Sequence, residues 1–257
     1  MTHDSRLASP ILQARGLSKA FGHVQALVDA DLDLHPGEVL AIVGDNGAGK
    51  STLIKCLSGA YVPDSGDIEV DGRAAHIRSP RDAQALGIAT VYQDLALVDQ
   101  RDVATNLCMG REPTGRLGLV DRKALVRRAD ATLARLNTRL PSTNTPVGVL
   151  SGGQRQAVAI GRALAQGGRV IIMDEPTAAL GVRESAQVLE LIQGLRSQDL
   201  AVAVISHNLQ HVFAVADRIQ VMRGGRSVGV RGRRDTTGDE IVRMITGADV
   251  LVAGAVI

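Results

Sequence analysis

Several groups of residues in this chain have the types and spacing that phosphate chemistry needs. Gly44-Asp45-Asn46-Gly47-Ala48-Gly49-Lys50-Ser51-Thr52 meets the pattern G-x-x-x-x-G-K-[ST]. Its glycines allow consecutive backbone N–H groups to point at a triphosphate, and a helix opening at its end adds positive potential. The Lys50 ammonium suits β- and γ-phosphate oxygens, and the Ser51 hydroxyl suits Mg²⁺. Asp174 and Glu175 form a carboxylate pair after an apolar run. Asp174 would hold Mg²⁺ through water, while Glu175 would orient and polarise an attacking water. Gln93 and His207 follow two further apolar runs. Gln93 can bridge Mg²⁺ or the water to whatever binds the helical segment that follows it, and His207 can hydrogen-bond a γ-phosphate. A lone His after a strand is usually structural and a lone Gln usually a surface residue; a shared position at one sheet edge gives them weight.

Two more features need explaining. Phe21 is one of two phenylalanines in a chain without tryptophan, and its ring can stack on adenine. Leu150-Ser151-Gly152-Gly153-Gln154 is a second glycine-rich loop, far downstream of the first. One nucleotide needs only one such cradle, so the second requires a separate purpose.

The elements that must position these groups are short strands alternating with helices. The runs 39–43, 87–92, 170–173 and 201–205 are rich in Val and Ile without alternation, as strands buried on both faces are. Helical patterns lie over 50–60, 154–168 and 184–198, with Gly167-Gly168 as a stop signal. This alternation predicts an α/β fold with a mostly parallel sheet, whose ligands bind beyond the carboxyl ends of the strands. The four runs end at Gly44, Gln93, Asp174-Glu175 and Ser206-His207, and together describe one site. Residues near 10–38 and 66–79 predict an antiparallel flank. Residues of about 94–150 are mainly helical, with Leu125, Ala129, Leu133 and Leu136 on one stripe. The expected organisation is a single domain over 1–257. Its core and β flank cover about 1–93 and 158–257, and an inserted α-helical subdomain covers about 94–157.

Composition narrows the class. A formal net charge of +2 gives no support to a nucleic-acid partner, and Arg231, Arg233 and Arg234 are expected in a solvated turn. The N-terminal residues lack the apolar segment of a signal peptide, and no apolar run approaches membrane-spanning length. The terminal run 250–257 is expected as a packed or frayed tail. Cys56 and Cys108 are isolated thiols, which fits a reducing cytosol. His207 and His211 lack the Glu of a zinc-protease helix, so a zinc site is rejected.

With these motifs assembled, the chain resembles the ATP-binding cassette (ABC) proteins over essentially its whole length. The P-loop at 44–52, Gln93, the signature Leu150–Gln154, the strand 170–174 with Glu175, and His207 occur in that family's order. The resemblance implies a P-loop NTPase with a RecA-like core, using ATP and Mg²⁺. It also explains the second loop. In this family ATP lies between two cassettes arranged head to tail, so Ser151–Gln154 would serve the nucleotide of a second copy. The segments 18–27, 44–61, 87–99, 106–112 and 174–181 are similar to ATPase subunits of bacterial monosaccharide importers of the ribose, xylose and fructose type, single-cassette fructose-import ATP-binding subunits among them. This likeness implies a homodimer that hydrolyses ATP on the cytoplasmic face of the inner membrane. It would act with a separate membrane permease and, indirectly, a periplasmic sugar-binding protein. One departure stands out: Gly181 occupies the place where the family usually has an Asp closing the loop after the carboxylate pair. DNA-repair and chromosome-organising ATPases share the motifs but need a long coiled coil between the two glycine loops. Translation-factor cassettes carry two units in one chain. Exporters often have fused membrane helices.

Overall fold

The computed structural model describes residues 9–138 and 140–248. The expected C-terminal tail and most of the N-terminal segment fall outside them. The chain opens with strands β1 (Leu12–Phe21) and β2 (Val24–Leu34), followed by β3 (Val39–Val43), α1 (Lys50–Leu57), β4 (Ser65–Val70) and β5 (Arg73–Ala74). Then come α2 (Pro80–Ala85), β6 (Ile88–Val91), α3 (Val103–Cys108), α4 (Arg122–Arg135), α5 (Gly152–Ala165) and β7 (Val170–Asp174). The remainder is α6 (Val182–Arg196), β8 (Ala201–Ile205), α7 (Leu209–Val215), β9 (Arg218–Arg223), β10 (Arg226–Gly232) and α8 (Gly238–Thr246).

Two sheets result. The larger has the order β10-β9-β3-β8-β7-β6, parallel throughout except for the antiparallel β9–β10 hairpin at one edge. The smaller, β2-β1-β4-β5, is antiparallel. Both faces of the large sheet are covered. Leu40, Ile42, Ile172, Ala203 and Ile205 point toward α1 and the small sheet. Val39, Ile171, Met173, Val202 and Val204 pack against α5 and α6. Burial on both faces is why these strands are apolar without alternation.

Helices α3 and α4 form a third cluster around Val103, Leu107, Leu125, Ala129 and Leu133, joined by Val158 of α5. Helix α5 thus packs on the sheet with one stripe and on these helices with another, and a boundary at 157/158 falls inside it.

Several local features differ from the sequence-based expectation. Helix α1 stops at Leu57 because Gly59 turns with φ 72°, where a Cβ would sit 2.2 Å from the Ser79 carbonyl oxygen. The β9–β10 hairpin and α2 lie in segments without a strong periodic signal. Arg231 and Arg233 are not simply solvated: Arg231 pairs with Glu240 at 2.8 Å, and Arg233 donates to the Phe213 carbonyl at 2.9 Å. Cys56 and Cys108 are buried free thiols, and burial pushes Cys56 up to about 11. Among the described residues no helix is long and apolar enough to cross a membrane.

Candidate active site

The central strands finish side by side. Ile42 of β3 pairs with Ile205 of β8, which pairs with Asp174 of β7. The loop 44–49, the carboxylate pair and His207 therefore leave the same sheet edge.

The glycine loop is fixed from below. Gly44 has φ 153°, and a Cβ there would lie 2.2 Å from the Met222 carbonyl oxygen of β9. Gly49, the residue preceding α1, has φ 99°, and its Cβ would lie 2.7 Å from the Ala26 carbonyl oxygen. Gly47 also has positive φ, but open space surrounds it. Packing of the hairpin and β2 thus dictates Gly44 and Gly49, whereas backbone shape alone dictates Gly47. No side chain caps α1, so its first-turn N–H groups can meet an anion.

Lys50 is buried and folds back over the loop, donating to the carbonyls of Gly44 at 2.6 Å and Asp45 at 2.9 Å. Burial lowers its pKa, opposed by the charges of Glu175, Asp45 and Asp174. Asp174 moves the other way: burial and the adjacent Glu175 raise it, and Lys55 and Lys50 only partly offset them. A carboxylate raised in this way is suited to a divalent cation. Among the described residues no group of three or more His, Cys, Asp or Glu could hold a metal. A cation here therefore depends on hydroxyl, water and phosphate oxygens beside Asp174. That donor set fits Mg²⁺, which retains waters and binds with phosphates.

Glu175 has φ 50°, in the left-handed region that costs a non-glycine residue about 1–2 kcal/mol. Its N–H donates to the Ile205 carbonyl at 3.0 Å, which holds the turn. The turn brings Glu175 Oε1 to 2.8 Å from His207 Nδ1, while the imidazole stays largely exposed. Behind them His211 Nδ1 lies 3.0 Å from Thr177 Oγ1, tying α7 to the loop after β7. Sequence reading assigned His211 no role. Its position four residues after His207 is the available signal.

The other expected residues lie at the start of α1, just beyond β6, at the end of β1 and at the start of α5. Ser51 is exposed and Thr52 half-buried at the start of α1. Gln93 is exposed, just beyond the edge strand β6. Phe21 meets Tyr61 edge to face at 5.0 Å, with the Lys19 ammonium 5.8 Å from its ring. Tyr61, one of only two tyrosines, carries no sequence signal beyond that rarity. Ser151–Gln154 is not a free loop: Ser151 caps α5, and Gly152, Gly153 and Gln154 are its first turn. The Ser151 N–H donates to Gln154 Oε1 at 3.0 Å, and the Gln154 N–H to Ser151 Oγ at 3.4 Å. Among the described residues no hydrogen bond or ion pair joins this turn to Lys50, Asp174 or Glu175.

A P-loop at the carboxyl edge of a mostly parallel sheet, with a carboxylate pair, an edge histidine and a distant glycine helix start, defines an ATP-binding cassette. Comparison with known proteins agrees: residues 27–178 match the ABC transporter family, and the chain belongs to it. It is 50% identical to the Fructose import ATP-binding protein FrcA of Rhizobium meliloti, over 93% of this chain and 95% of that one. It is 43% identical to the Xylose/arabinose import ATP-binding protein XylG of Sulfolobus acidocaldarius, over 93% and 94%. Against the Ribose import ATP-binding protein RbsA 1 of Rubrobacter xylanophilus it is 47% identical, covering 94% of this chain but about half (48%) of the relative. The ADP conformation of an ATP-binding cassette of an ABC transporter superposes with a TM-score of 0.80 at 25% identity, over 95% of this chain and 98% of that one. A dimeric cassette bound to ADP and Pi shares the fold with a TM-score of 0.72 at 24% identity, over 88% and 100%.

Proposed function

We propose that this chain is the ATP-hydrolysing subunit of a bacterial monosaccharide importer, with fructose as cargo. The observation that carries the hydrolytic assignment is the convergence of Lys50, Asp174, Glu175 and His207 at one sheet edge. The cargo assignment rests on the near full-length similarity to a fructose import ATP-binding protein.

In this mechanism the N–H groups of 44–52 cradle the phosphates of ATP, and Phe21 stacks on the adenine. Lys50 exchanges its two carbonyl partners for β- and γ-phosphate oxygens. When bound, Mg²⁺ supplies positive charge to those oxygens; Ser51, Gln93 and, through water, Asp174 would hold it. Glu175 orients a water and takes its proton as oxygen adds to the γ-phosphorus and the bond to ADP breaks. His207 holds Glu175 through Nδ1 and presents its other ring edge to the γ-phosphate.

A second copy completes each site. Ser151–Gln154 starts α5, without hydrogen bond or ion pair to its own P-loop among the described residues, and serves the partner's nucleotide in a head-to-tail homodimer. The helical subdomain of about 94–157 docks a cytoplasmic loop of a separate permease, which places the homodimer on the cytoplasmic face of the inner membrane. A periplasmic sugar-binding protein delivers the cargo to that permease. Deleting the gene is expected to abolish high-affinity fructose uptake, with restoration by the native gene but not by its Lys50→Ala form. Unchanged uptake of fructose would overturn the cargo. Unchanged uptake of ribose and xylose as well would overturn the importer assignment.

A further inference from the structure

The first N–H groups of a helix have no partner within it. In α5, the capping box of Ser151 and Gln154 occupies two N–H groups of the signature turn. The Gly152 N–H instead leaves its own segment and donates to Glu184 Oε1 at 3.1 Å. Glu184 is the third residue of α6, and its Oε2 accepts from the Gly181 N–H at 3.3 Å. One carboxylate therefore joins the positive ends of two helices. The bond to Gly181 is ordinary capping. The bond to Gly152 is not needed for α6.

Packing shows how closely the two turns meet. A Cβ at Gly152 would lie 2.5 Å from Leu180 Cδ2, and one at Gly153 would lie 3.4 Å from the Cβ of Glu184. The signature glycines thus let the first turn of α5 lie directly on the first turn of α6. Gly181, at the end of the loop that leaves Glu175, has no side chain with which to make such a link.

We propose that Glu184 is a positioning residue: through Gly152 it holds the signature turn in the orientation that receives the partner's nucleotide. The proposal rests on the shared-site reading above, and its test separates the two. Lys50→Ala breaks the P-loop, and Ser151→Arg blocks the signature turn. In a mixed dimer of these variants one intact site remains, built from the P-loop of the Ser151→Arg chain and the signature of the Lys50→Ala chain. Occlusion of labelled ATP by that mixture is the baseline.

Glu184→Asp keeps a negative charge in the first turn of α6 but shortens the reach to Gly152 and to Gly181. Placed on the Lys50→Ala chain, which supplies the signature, it is expected to lower occlusion about tenfold, the scale of one hydrogen bond to a charged group. Placed on the Ser151→Arg chain, it is expected to leave the baseline unchanged. Glu184→Gln, of native length, keeps one acceptor oxygen for the Gly152 N–H while its amide nitrogen faces Gly181, and is expected to recover part of the occlusion on the Lys50→Ala chain. Equal loss from either chain, or no loss from the Lys50→Ala chain, would overturn the positioning role. A baseline mixture that forms mixed dimers yet occludes nothing would overturn the shared site, and this proposal with it.

Discussion

Replacing Glu175 by Gln isolates one chemical property. Gln has nearly the same volume, meets the same backbone cost at φ 50°, and can still accept from His207 Nδ1–H through its side-chain carbonyl. The Ile205 carbonyl still holds the backbone N–H of residue 175. What disappears is the negative charge and the proton acceptor. Loss of a general base lowers rates by about 10²–10⁴-fold, or about 2.7–5.4 kcal/mol of transition-state stabilisation. The lost charge repels Asp174 and attracts Lys50, effects of opposite sign, so ATP affinity is expected to stay within a few fold and stability is not expected to fall. The assay is steady-state phosphate release at saturating ATP and Mg²⁺, alongside nucleotide affinity and the thermal midpoint. Hydrolysis within about threefold of native would remove Glu175 from this role. A parallel fall in affinity and thermal midpoint would show that the carboxylate holds the structure instead.

Two further outcomes follow from the same geometry. Gly44→Ala drives a methyl into the Met222 carbonyl, and is expected to cost about 2–4 kcal/mol, against about 1 kcal/mol for Gly47→Ala in open space. Thermal unfolding of the pair checks this, and equal midpoints would refute the packing argument. For Asp174, a folded pKa above the ordinary carboxylate value means that the native state holds the proton more tightly than the unfolded chain. Native stability therefore falls as pH rises from the unfolded value through the folded one, and stays reduced above it. Without Mg²⁺ or nucleotide, Asp174→Asn is expected to match native stability in acid and exceed it near neutrality, as measured by urea unfolding across pH. It is also expected to lose the stabilisation that Mg²⁺ with ATP gives the native chain. A pH-independent difference between the two proteins would contradict the desolvation argument.

The class of this protein was legible because its chemistry is local in sequence. A phosphate loop needs consecutive N–H groups, so 44–52 is contiguous, and a buried parallel strand advertises itself through runs such as 170–173. Asp174 and Glu175 could be placed at a strand end without knowing which strand lay beside it. Other features depended on distance through space. Gly44 and Gly49 look alike in sequence, yet the carbonyls of Met222 and Ala26 dictate their absence of side chains. Pairing of Phe21 with Tyr61 and of Thr177 with His211 joins segments separated by long stretches of chain, which no periodicity reports. The signature looked like a second loop because glycines usually mark loops. Tertiary packing made it the first turn of a helix, where missing side chains let α5 meet α6 and one carboxylate, Glu184, reach both.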